Sequence, residues 1–423
     1  MVEVVSEVGR LRRVIVHPPG GALERMLPEH IDRSSPKYLL FDDLVDVRAA
    51  ADEHEQLCQV LATSAEVIHF QDLLASTIEN AECRRNLIDE VAQLEDLTAA
   101  QVAGLEAMDS AHLAKSLVVG TMGGGLQGEP LFAPAPNLIF TRDLAAVVGN
   151  TVVVGNANKA ARRRETMLAW AVFEGHPMFG SSRIAHSSTR VHQSGGSAPL
   201  TVEGGDVLVI SDTMACIGAS ERTSWAMIVR LAKELLDEGL SRVLVVEMPK
   251  QRSSMHLDTV FTMADRGVGV VYPPLLDPSG PEEAKVLRLR RQGDQTVIDD
   301  LDLNLFEALA GEGHPLQQVQ CGGGHPVHAR REQWTDGANY VAIGPGVVVG
   351  YARNHRTAAA MRDAGFEIVS PDEFLSLVAT EYGGQVEPLL QSERRIAIHL
   401  VGSELSRGRG GPRCLTCPVE REA

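Results

Sequence analysis

Short, valine-rich segments bounded by Gly, Pro, Asn or Asp recur along the whole 423-residue chain, a pattern typical of short β-strands. Amphipathic segments lie between several of them. In one, Ile228, Leu231 and Leu235 share a helical face, with Ser220 as the predicted N-cap and Gly239 as the stop. Because strands and helices are mixed throughout, the sequence predicts an α/β or α+β fold. Strands are predicted at residues 14–16, 151–155, 206–210, 214–217, 242–247, 267–272 and 340–351, and further helices at 162–173 and 357–364.

One region departs from this mixture. Strand patterns disappear over residues 71–128, where residues 82–91 and 98–108 have helical patterns. A run of three glycines and several prolines closes the region. We therefore predict an all-helical domain at 71–128, inserted into an α/β domain formed by residues 1–70 and 129–423.

Charge and cysteine content narrow the possible partners. The net charge of −17 disfavours a nucleic-acid partner and would attract a small cation, although solubility alone also explains it. No segment approaches the roughly 18 apolar residues of a membrane span, and the first residues lack the apolar core of a signal peptide. Six cysteines in a chain of this length do not suggest a disulfide framework. We expect a cytoplasmic protein with no membrane partner.

The C-terminal loop presents a cysteine among glycines and arginines. Glycines allow close approach of the backbone to a ligand, and arginines near Cys414 would favour its thiolate. Cys414 and Cys417 form a C-x-x-C pair, but no second pair of zinc ligands follows. The pair also lies too near the chain end for a thioredoxin-like motif. The loop therefore predicts a nucleophile rather than a metal or redox site.

Three further polar clusters follow or precede strand-like segments, where loops present functional groups. Asp143 follows an apolar run, and Glu203 is followed by two glycines and a second acid. His256 and Asp258 would share one face of an extended segment. Singly, each cluster also fits a turn or a structural His–Asp pair. Together with Cys414, these residues would suit attack on the carbon of a planar cation that the carboxylates hold. The carboxylates would raise the pKa of the thiol in the empty site, and a bound cation would lower it again.

Several segments, in order along the chain, carry a resemblance to a known family. They are residues 11–16, 41–45, 140–143, 162–166, 203–207, 220–224, 256–261, 345–351 and 408–414. In these segments the chain resembles bacterial arginine deiminases, of the guanidino-group-modifying (pentein) superfamily. The predicted helical insertion is also similar to the one in that family.

The resemblance implies a five-bladed α/β propeller with pseudo-fivefold symmetry and the site at its centre. It implies hydrolysis of L-arginine to L-citrulline and ammonia through a covalent thiouronium intermediate, without a metal or an organic cofactor. L-arginine would then be the small-molecule partner, and assembly as a homo-oligomer, dimeric or tetrameric, is compatible with the family.

Individual roles follow from the same resemblance. Cys414 matches the nucleophile, and His256 matches the general acid–base. Asp143 and Asp258 match the carboxylates that grip the guanidinium, and Glu203 matches the one that supports His256. The matched substrate-binding residues are Arg162 and Arg222 for the substrate carboxylate, Asn137 and Phe140 in the pocket wall, and Arg409 on the closing loop. Cys321, Cys417 and His325 receive no role.

Two alternatives stay open at this point. Another guanidino-modifying enzyme, an amidinotransferase or a dimethylarginine hydrolase, would share the Cys, His and acid set. A non-catalytic arginine-binding protein would use the acidic pocket without turnover.

Overall fold

The computed structural model describes residues 2–186, 200–277, 280 and 283–422. The strands are β1 (Leu11–Val16), β2 (Glu66–His69), β3 (Ala145–Val148), β4 (Thr151–Val154), β5 (Arg183–Ile184), β6 (Val207–Ser211), β7 (Met214–Ala219), β8 (Arg242–Glu247), β9 (Phe261–Asp265), β10 (Val268–Val271), β11 (Lys285–Gln292), β12 (Gln295–Asp300), β13 (Gln317–Gln320), β14 (Val341–Gly344), β15 (Val347–Tyr351), β16 (Phe366–Val369), β17 (Arg395–Leu400) and β18 (Cys417–Arg421). The helices are α1 (Gly21–Glu24), α2 (Val47–Ala62), α3 (Phe70–Thr77), α4 (Ala81–Glu95), α5 (Ala99–Glu106), α6 (Ser110–Val119), α7 (Thr141–Leu144), α8 (Arg163–Gly175), α9 (Trp225–Asp237), α10 (Pro273–Leu276), α11 (Leu305–Gly311), α12 (Pro326–Trp334), α13 (His355–Asp363), α14 (Pro371–Glu381), α15 (Glu387–Leu390) and α16 (Ser403–Arg407).

One strand pattern is repeated in every sheet of the described residues. The sheets, five in this part of the chain, have the orders β18-β1-β2, β3-β4-β5, β6-β7-β8-β11-β12, β9-β10-β13 and β14-β15-β17-β16. Each contains an antiparallel pair, such as β3 and β4, whose inner strand pairs in parallel with a later strand, such as β5. Helices such as α8 and α9 make the crossover between the parallel strands. The fold is therefore a mixed α/β fold built from repeated units.

The two ends of the chain belong to one sheet. β18 pairs antiparallel with β1, so that Ile15 lies opposite Cys417. β18 also contacts β3, while β14 contacts both β9 and β1. Consequently the C-terminal cysteine loop leads into a strand that lies between the N-terminal strand and β3.

Most predicted elements are present, with two differences. Residues 340–351 form a hairpin of β14 and β15 rather than one strand, because Gly346 turns the chain with φ +69°. Helix α9 begins after Ser224 and not after Ser220. The Ser220 hydroxyl still accepts the backbone N–H groups of Arg222 at 3.0 Å and Thr223 at 3.2 Å while it donates to Asp206 Oδ2, but these bonds hold a turn that precedes the helix.

The segment 71–128 is helical, as expected, and contains most of α3 together with α4, α5 and α6. Asn80, Thr98 and Asp109 cap the last three of these helices, each accepting from backbone N–H groups of the first turn. The helices bury Leu87 and Leu117 in the same hydrophobic cluster as Phe173 of α8. The helical segment thus shares its core with the β3-β4-β5 sheet. Among the described residues, no helix combines the length and apolar character needed to cross a membrane.

Candidate active site

In each sheet, the outer strand of the antiparallel pair, here called the first strand, is preceded by a short segment that carries a polar side chain. These are Asp143 before β3, Glu203 before β6, His256 before β9, Asn339 before β14 and Cys414 before β18. The turns before β6 and β9 contact the preceding first strands, β3 and β6 respectively. Because neighbouring first strands lie close together, their entry turns converge. The strand pattern thereby brings distant parts of the chain to one cavity.

The cavity is small and lies under the C-terminal loop. It is lined by Leu40, Asn137, Phe140, Asp143, Arg162, Arg222, Arg252, Met255, His256, Gly408, Arg409 and Cys414. Eight of the ten residues singled out in the sequence are in this lining, and the other two, Glu203 and Asp258, lie directly behind it against His256 and Cys414. The space open to water is about 20 Å³, roughly enough for one molecule. A larger ligand therefore requires side chains to move.

His256 is held between two carboxylates. Its Nε2 lies 2.8 Å from Glu203 Oε2, and its Nδ1 lies 3.6 Å from Asp143 Oδ1. Burial alone would lower the pKa of His256, but Asp143, Glu203 and Asp206 outweigh it and raise the pKa to about 9. His256 is therefore a protonated imidazolium at neutral pH, with a proton available for transfer.

Cys414 is buried beside two other site residues. Its Sγ lies 3.7 Å from Asp258 Oδ2 and accepts a hydrogen bond from Asn339 Nδ2 at 3.3 Å. Burial raises the pKa of the Cys414 thiol well above its ordinary value, and the negative charges of Asp258, Asp143 and Asp336 raise it further. In this state the sulfur is a neutral thiol at neutral pH, as expected for a buried sulfur surrounded by several carboxylates.

The neighbouring arginines do not act on the sulfur as the sequence suggested. The Arg413 side chain turns away and pairs with Glu7 at 3.0 Å and with Asp258 Oδ2 at 3.0 Å. Arg409 stacks over the Trp334 ring, with its guanidinium carbon 3.6 Å from the ring centre. The expectation that these arginines favour the thiolate is wrong for this state, because Arg413 is directed to other partners and because burial and the carboxylates around the sulfur outweigh the charge of Arg409.

Two other arginines neutralise the acidic groups of the cavity. Arg162 Nη1 lies 2.6 Å from Asp143 Oδ2 and 3.0 Å from Glu203 Oε2, while its Nε bonds Glu165 at 2.9 Å. Arg222 Nη1 lies 3.4 Å from Glu203 Oε1. Burial would raise the pKa of Glu203, but Arg222, Arg162 and His256 hold it well below its ordinary value. Glu203 is therefore an anion that orients His256.

Among the described residues, three buried carboxylate oxygens have no hydrogen bond, the third being Asp336 Oδ2. Within the described part of the chain, Asp143 Oδ1 and Asp258 Oδ1 are buried and have no hydrogen-bond partner. Burying such an acceptor without a donor costs about 1–3 kcal/mol or more. Asp143 lines the cavity and the other oxygen of Asp258, Oδ2, lies 3.7 Å from the Cys414 sulfur, so the unpartnered oxygens of both carboxylates would accept N–H groups from a cationic ligand.

A metal ion has one set of candidate ligands among the described residues. Ligand atoms of Asp143, Glu203 and His256 lie within 4.8 Å of one another. An ion there would compete with the Arg162 guanidinium, which already bonds both carboxylates. The expectation of metal-free chemistry stays a prediction.

The segment around His256 has a different conformation from the expected extended one. Residues Leu257–Thr259 form a 3₁₀ turn, with His256 as its N-cap. The Leu257 N–H donates to Asp206 Oδ1 at 2.9 Å, which anchors the turn. As a result, His256 and Asp258 reach different partners, Glu203 and Cys414, rather than sharing one face.

Several site residues were not predicted from sequence motifs. Asn339 and Asp336 precede β14 in the same way that the recognised residues precede their strands, and this placement was the available signal. Asp206 was recognised only as the second acid after Glu203, although both of its oxygens are bonded within the site wall. Glu7 carried no local signal, because its partner Arg413 lies 406 positions away.

Close packing of Gly205 against His256 gives a first testable prediction. A Cβ at Gly205 would lie 2.8 Å from His256 Cγ and Nδ1. We expect Gly205→Ala to displace the imidazole and lower kcat about 10- to 100-fold in a folded protein. Gly267→Ala is the matched control, since a Cβ at Gly267 would have no neighbour within 4 Å. Normal kcat in Gly205→Ala would show that the imidazole position is not critical.

Solved structures share this fold. SxtG, an amidinotransferase from Microseira wollei, superposes with a TM-score of 0.54 at 15% identity, covering 100% of this chain and 98% of that chain. Unliganded AgrE superposes with a TM-score of 0.52 at 14% identity. That match covers 98% of this chain but only 40% of the longer AgrE chain. These proteins are members of the pentein superfamily, and the chain has their fold.

Sequence comparisons identify the family of the chain. The arginine deiminase family model matches residues 37–131 and 126–421. An arginine deiminase of Listeria monocytogenes is 32% identical over 444 aligned residues, covering 100% of this chain and 98% of the relative. An arginine deiminase of Mycobacterium bovis is 35% identical over 442 aligned residues, which cover 99% of this chain and 98% of the relative. The chain belongs to the arginine deiminase family.

Proposed function

We propose that the protein hydrolyses L-arginine to L-citrulline and ammonia, with Cys414 as nucleophile and His256 as general acid–base. Family membership supports the reaction. The observation that carries the residue assignment is the pair of unpartnered oxygens, Asp143 Oδ1 and Asp258 Oδ1 in the described residues, on the two carboxylates whose charges act most strongly on Cys414. A guanidinium bound between them would place its carbon next to Sγ.

Substrate binding prepares the nucleophile. The guanidinium neutralises Asp143 and Asp258, two of the charges that oppose thiol ionisation. The attraction between unit charges at about 4 Å is about 4 kcal/mol at an effective dielectric constant of 20. The thiol of Cys414 therefore loses its proton to solvent when arginine binds, since His256 is already protonated, and the substrate promotes formation of the thiolate that attacks it.

The chemical steps use one thiolate and one imidazole. The Cys414 thiolate adds to the guanidinium carbon, and protonated His256 transfers its proton to the departing amino group, which leaves as ammonia. Neutral His256 then takes a proton from the water that adds to the thiouronium carbon. The second adduct loses a proton and expels the thiolate, releasing citrulline.

The arginine side chains must rearrange to admit the substrate. Arg162 and Arg222 now contact the carboxylates of the cavity, and only about 20 Å³ is open to water. We assign both to the α-carboxylate of bound arginine, for which two guanidinium groups are well suited. Asn137 and Phe140 form the pocket wall, and Arg409 covers the site from the C-terminal loop.

The protonation state of His256 sets the alkaline limit of activity. Its pKa is raised from 6.5 to about 9, so the imidazolium is present below about pH 9 and is lost above it. We expect kcat/KM for arginine to fall as the pH rises through about 9, measured between about pH 6 and 10. Glu203→Gln should move this limb to lower pH, because it removes a carboxylate that raises the pKa. A limb near 6.5 in the unmodified protein would contradict the assignment.

The proposed architecture is a five-bladed propeller, with a catalytic domain of residues 1–70 and 129–423 and a helical domain at 71–128. The repeated sheet pattern in the described residues, the pairing of β18 with β1, and the contacts between successive first strands and entry turns support it. The cytoplasmic location and assembly as a dimer or tetramer also stay predictions.

Parallel assays of the ureido product, which is citrulline for arginine, with arginine, agmatine and methylated arginines test the function. Arginine should be the preferred substrate, and agmatine should react poorly because it lacks the carboxylate assigned to Arg162 and Arg222. Transfer of the amidino group to glycine would instead favour an amidinotransferase. Preferred turnover of methylated arginine would favour a dimethylarginine hydrolase, and binding without turnover would favour a non-catalytic protein.

A further inference from the structure

The amide of Asn339 contacts both the reactive sulfur and the loop that carries it. Asn339 Nδ2 donates to Cys414 Sγ at 3.3 Å and to the Asp258 carbonyl at 2.9 Å. Asn339 Oδ1 accepts from the backbone N–H groups of Arg413 at 2.9 Å and Cys414 at 3.2 Å. The side chain is fully buried. All of its partners belong to the two turns that hold the nucleophile and Asp258.

These partners determine the orientation of the amide. Oδ1 faces two backbone N–H donors, and a flipped amide would direct its own NH₂ group at them. With Oδ1 in place, the amide nitrogen has two hydrogens, one for the Asp258 carbonyl and one for the sulfur. Gly411 permits this contact, because a Cβ there would lie 2.5 Å from Asn339 Oδ1.

We propose that Asn339 stabilises the thiolate of Cys414 during the reaction, with its amide N–H donating to the ionised sulfur while its carbonyl oxygen holds the loop. This inference rests on the proposed role of Cys414 as nucleophile. Asn339 has no charge, so its hydrogen bond adds no further cation beside Asp258, which already pairs with Arg413 at 3.0 Å.

The surroundings explain why a donor is needed. The charged and titratable groups around the sulfur, from all the turns packed against it, are Asp143, His256, Asp258, Asp336, Tyr351 and Arg409. The three carboxylates oppose ionisation of Cys414. A hydrogen bond to the charged form offsets part of this effect, and the one from Asn339 is already in place without substrate.

The test measures ionisation of Cys414 directly. The rate of alkylation of Cys414 by iodoacetamide, followed by peptide mass spectrometry across pH, is compared in the unmodified protein, Asn339→Leu and Asn339→Asp. We expect the midpoint of the pH dependence of Cys414 alkylation to rise by about one pH unit or more in both variants. This corresponds to about a tenfold loss of thiolate at a given pH. The kcat for arginine should fall at least as much, with a smaller change in KM.

The two variants distinguish the N–H group that donates to the sulfur from the carbonyl oxygen that holds the loop. Asn339→Asp keeps an oxygen for the N–H groups of Arg413 and Cys414 but removes the N–H donor. Because its carboxylate would also raise the thiol pKa, an unchanged midpoint in this variant is the strictest test, even if Asn339→Leu does not fold. Asn354→Leu is the matched control, because Asn354 is equally buried but its amide bonds Thr335 instead. Its midpoint should be unchanged.

An unchanged midpoint in folded Asn339→Asp would overturn the inference, even with reduced kcat. A midpoint shift of the same size in Asn354→Leu would also overturn it, since the effect would then not be specific to the sulfur contact. Failure of the proposed function has a different signature, namely turnover that persists without Cys414.

Discussion

Cys414→Ala should abolish citrulline formation while arginine binding persists. The thiolate forms the bond to the guanidinium carbon, and no nearby group replaces it; loss of a covalent nucleophile costs about 10⁴-fold or more in kcat. The binding groups, in contrast, are Asp143 and Asp258, which the substitution leaves in place. Titration calorimetry should therefore give an arginine Kd within about tenfold of the KM of the unmodified protein.

Cys321→Ala provides the control for this experiment. Cys321 is also fully buried, but its sulfur contacts Thr357 and the carbonyl of Ala329, away from the cavity. It should leave kcat unchanged. Turnover that survives in Cys414→Ala would end the nucleophile assignment. Loss of both turnover and binding would show that the sulfur has a part in recognition that the proposed mechanism does not include.

Asp143→Asn should lower kcat/KM for arginine by about 10²- to 10³-fold. Removing one partner of a buried ion pair costs about 3–5 kcal/mol, because the remaining charge is left in a medium of low polarity. Here the substrate cation loses one of its two carboxylates, and Arg162 loses its 2.6 Å partner. The asparagine has nearly the same shape, so the change tests charge rather than packing.

The same substitution should also move the pH profile. Asp143 is the largest contributor among the charges that raise the pKa of His256 to about 9, so its removal should shift the alkaline limb downwards. Asp294→Asn is the control, because Asp294 lies exposed in the turn between β11 and β12. A folded Asp143→Asn variant with nearly normal kcat/KM and an unshifted limb would refute the proposed role of Asp143.

Functional residues could be predicted from the sequence where they stand in a short motif of unusual composition. Cys414 stands in a loop of glycines and arginines, and Glu203 precedes two glycines at the start of a strand. Such patterns are short enough to be recognised without knowing the fold. Helices were also predictable where apolar residues recur at helical spacing, as in α4, which buries Leu87, Ile88 and Val91.

Contacts between segments that are distant in the sequence could not be predicted in this way. Asn339 contacts Cys414 across 75 positions and Glu7 pairs with Arg413 across 406, and neither pair has a spacing that a helix or a strand would produce. The direction of the Arg413 side chain likewise depends on Glu7. For this reason the expected effect of the loop arginines on the thiol was wrong.

Chain-local information thus determined the α/β character, the helical segment and the list of reactive side chains. The tertiary structure decided which of them meet, because five strand entries from separate sheets of the described residues converge on one cavity. It also decided their protonation. Burial and neighbouring charge keep Cys414 a thiol and His256 an imidazolium, and both quantities depend on distances between residues that are remote in the sequence.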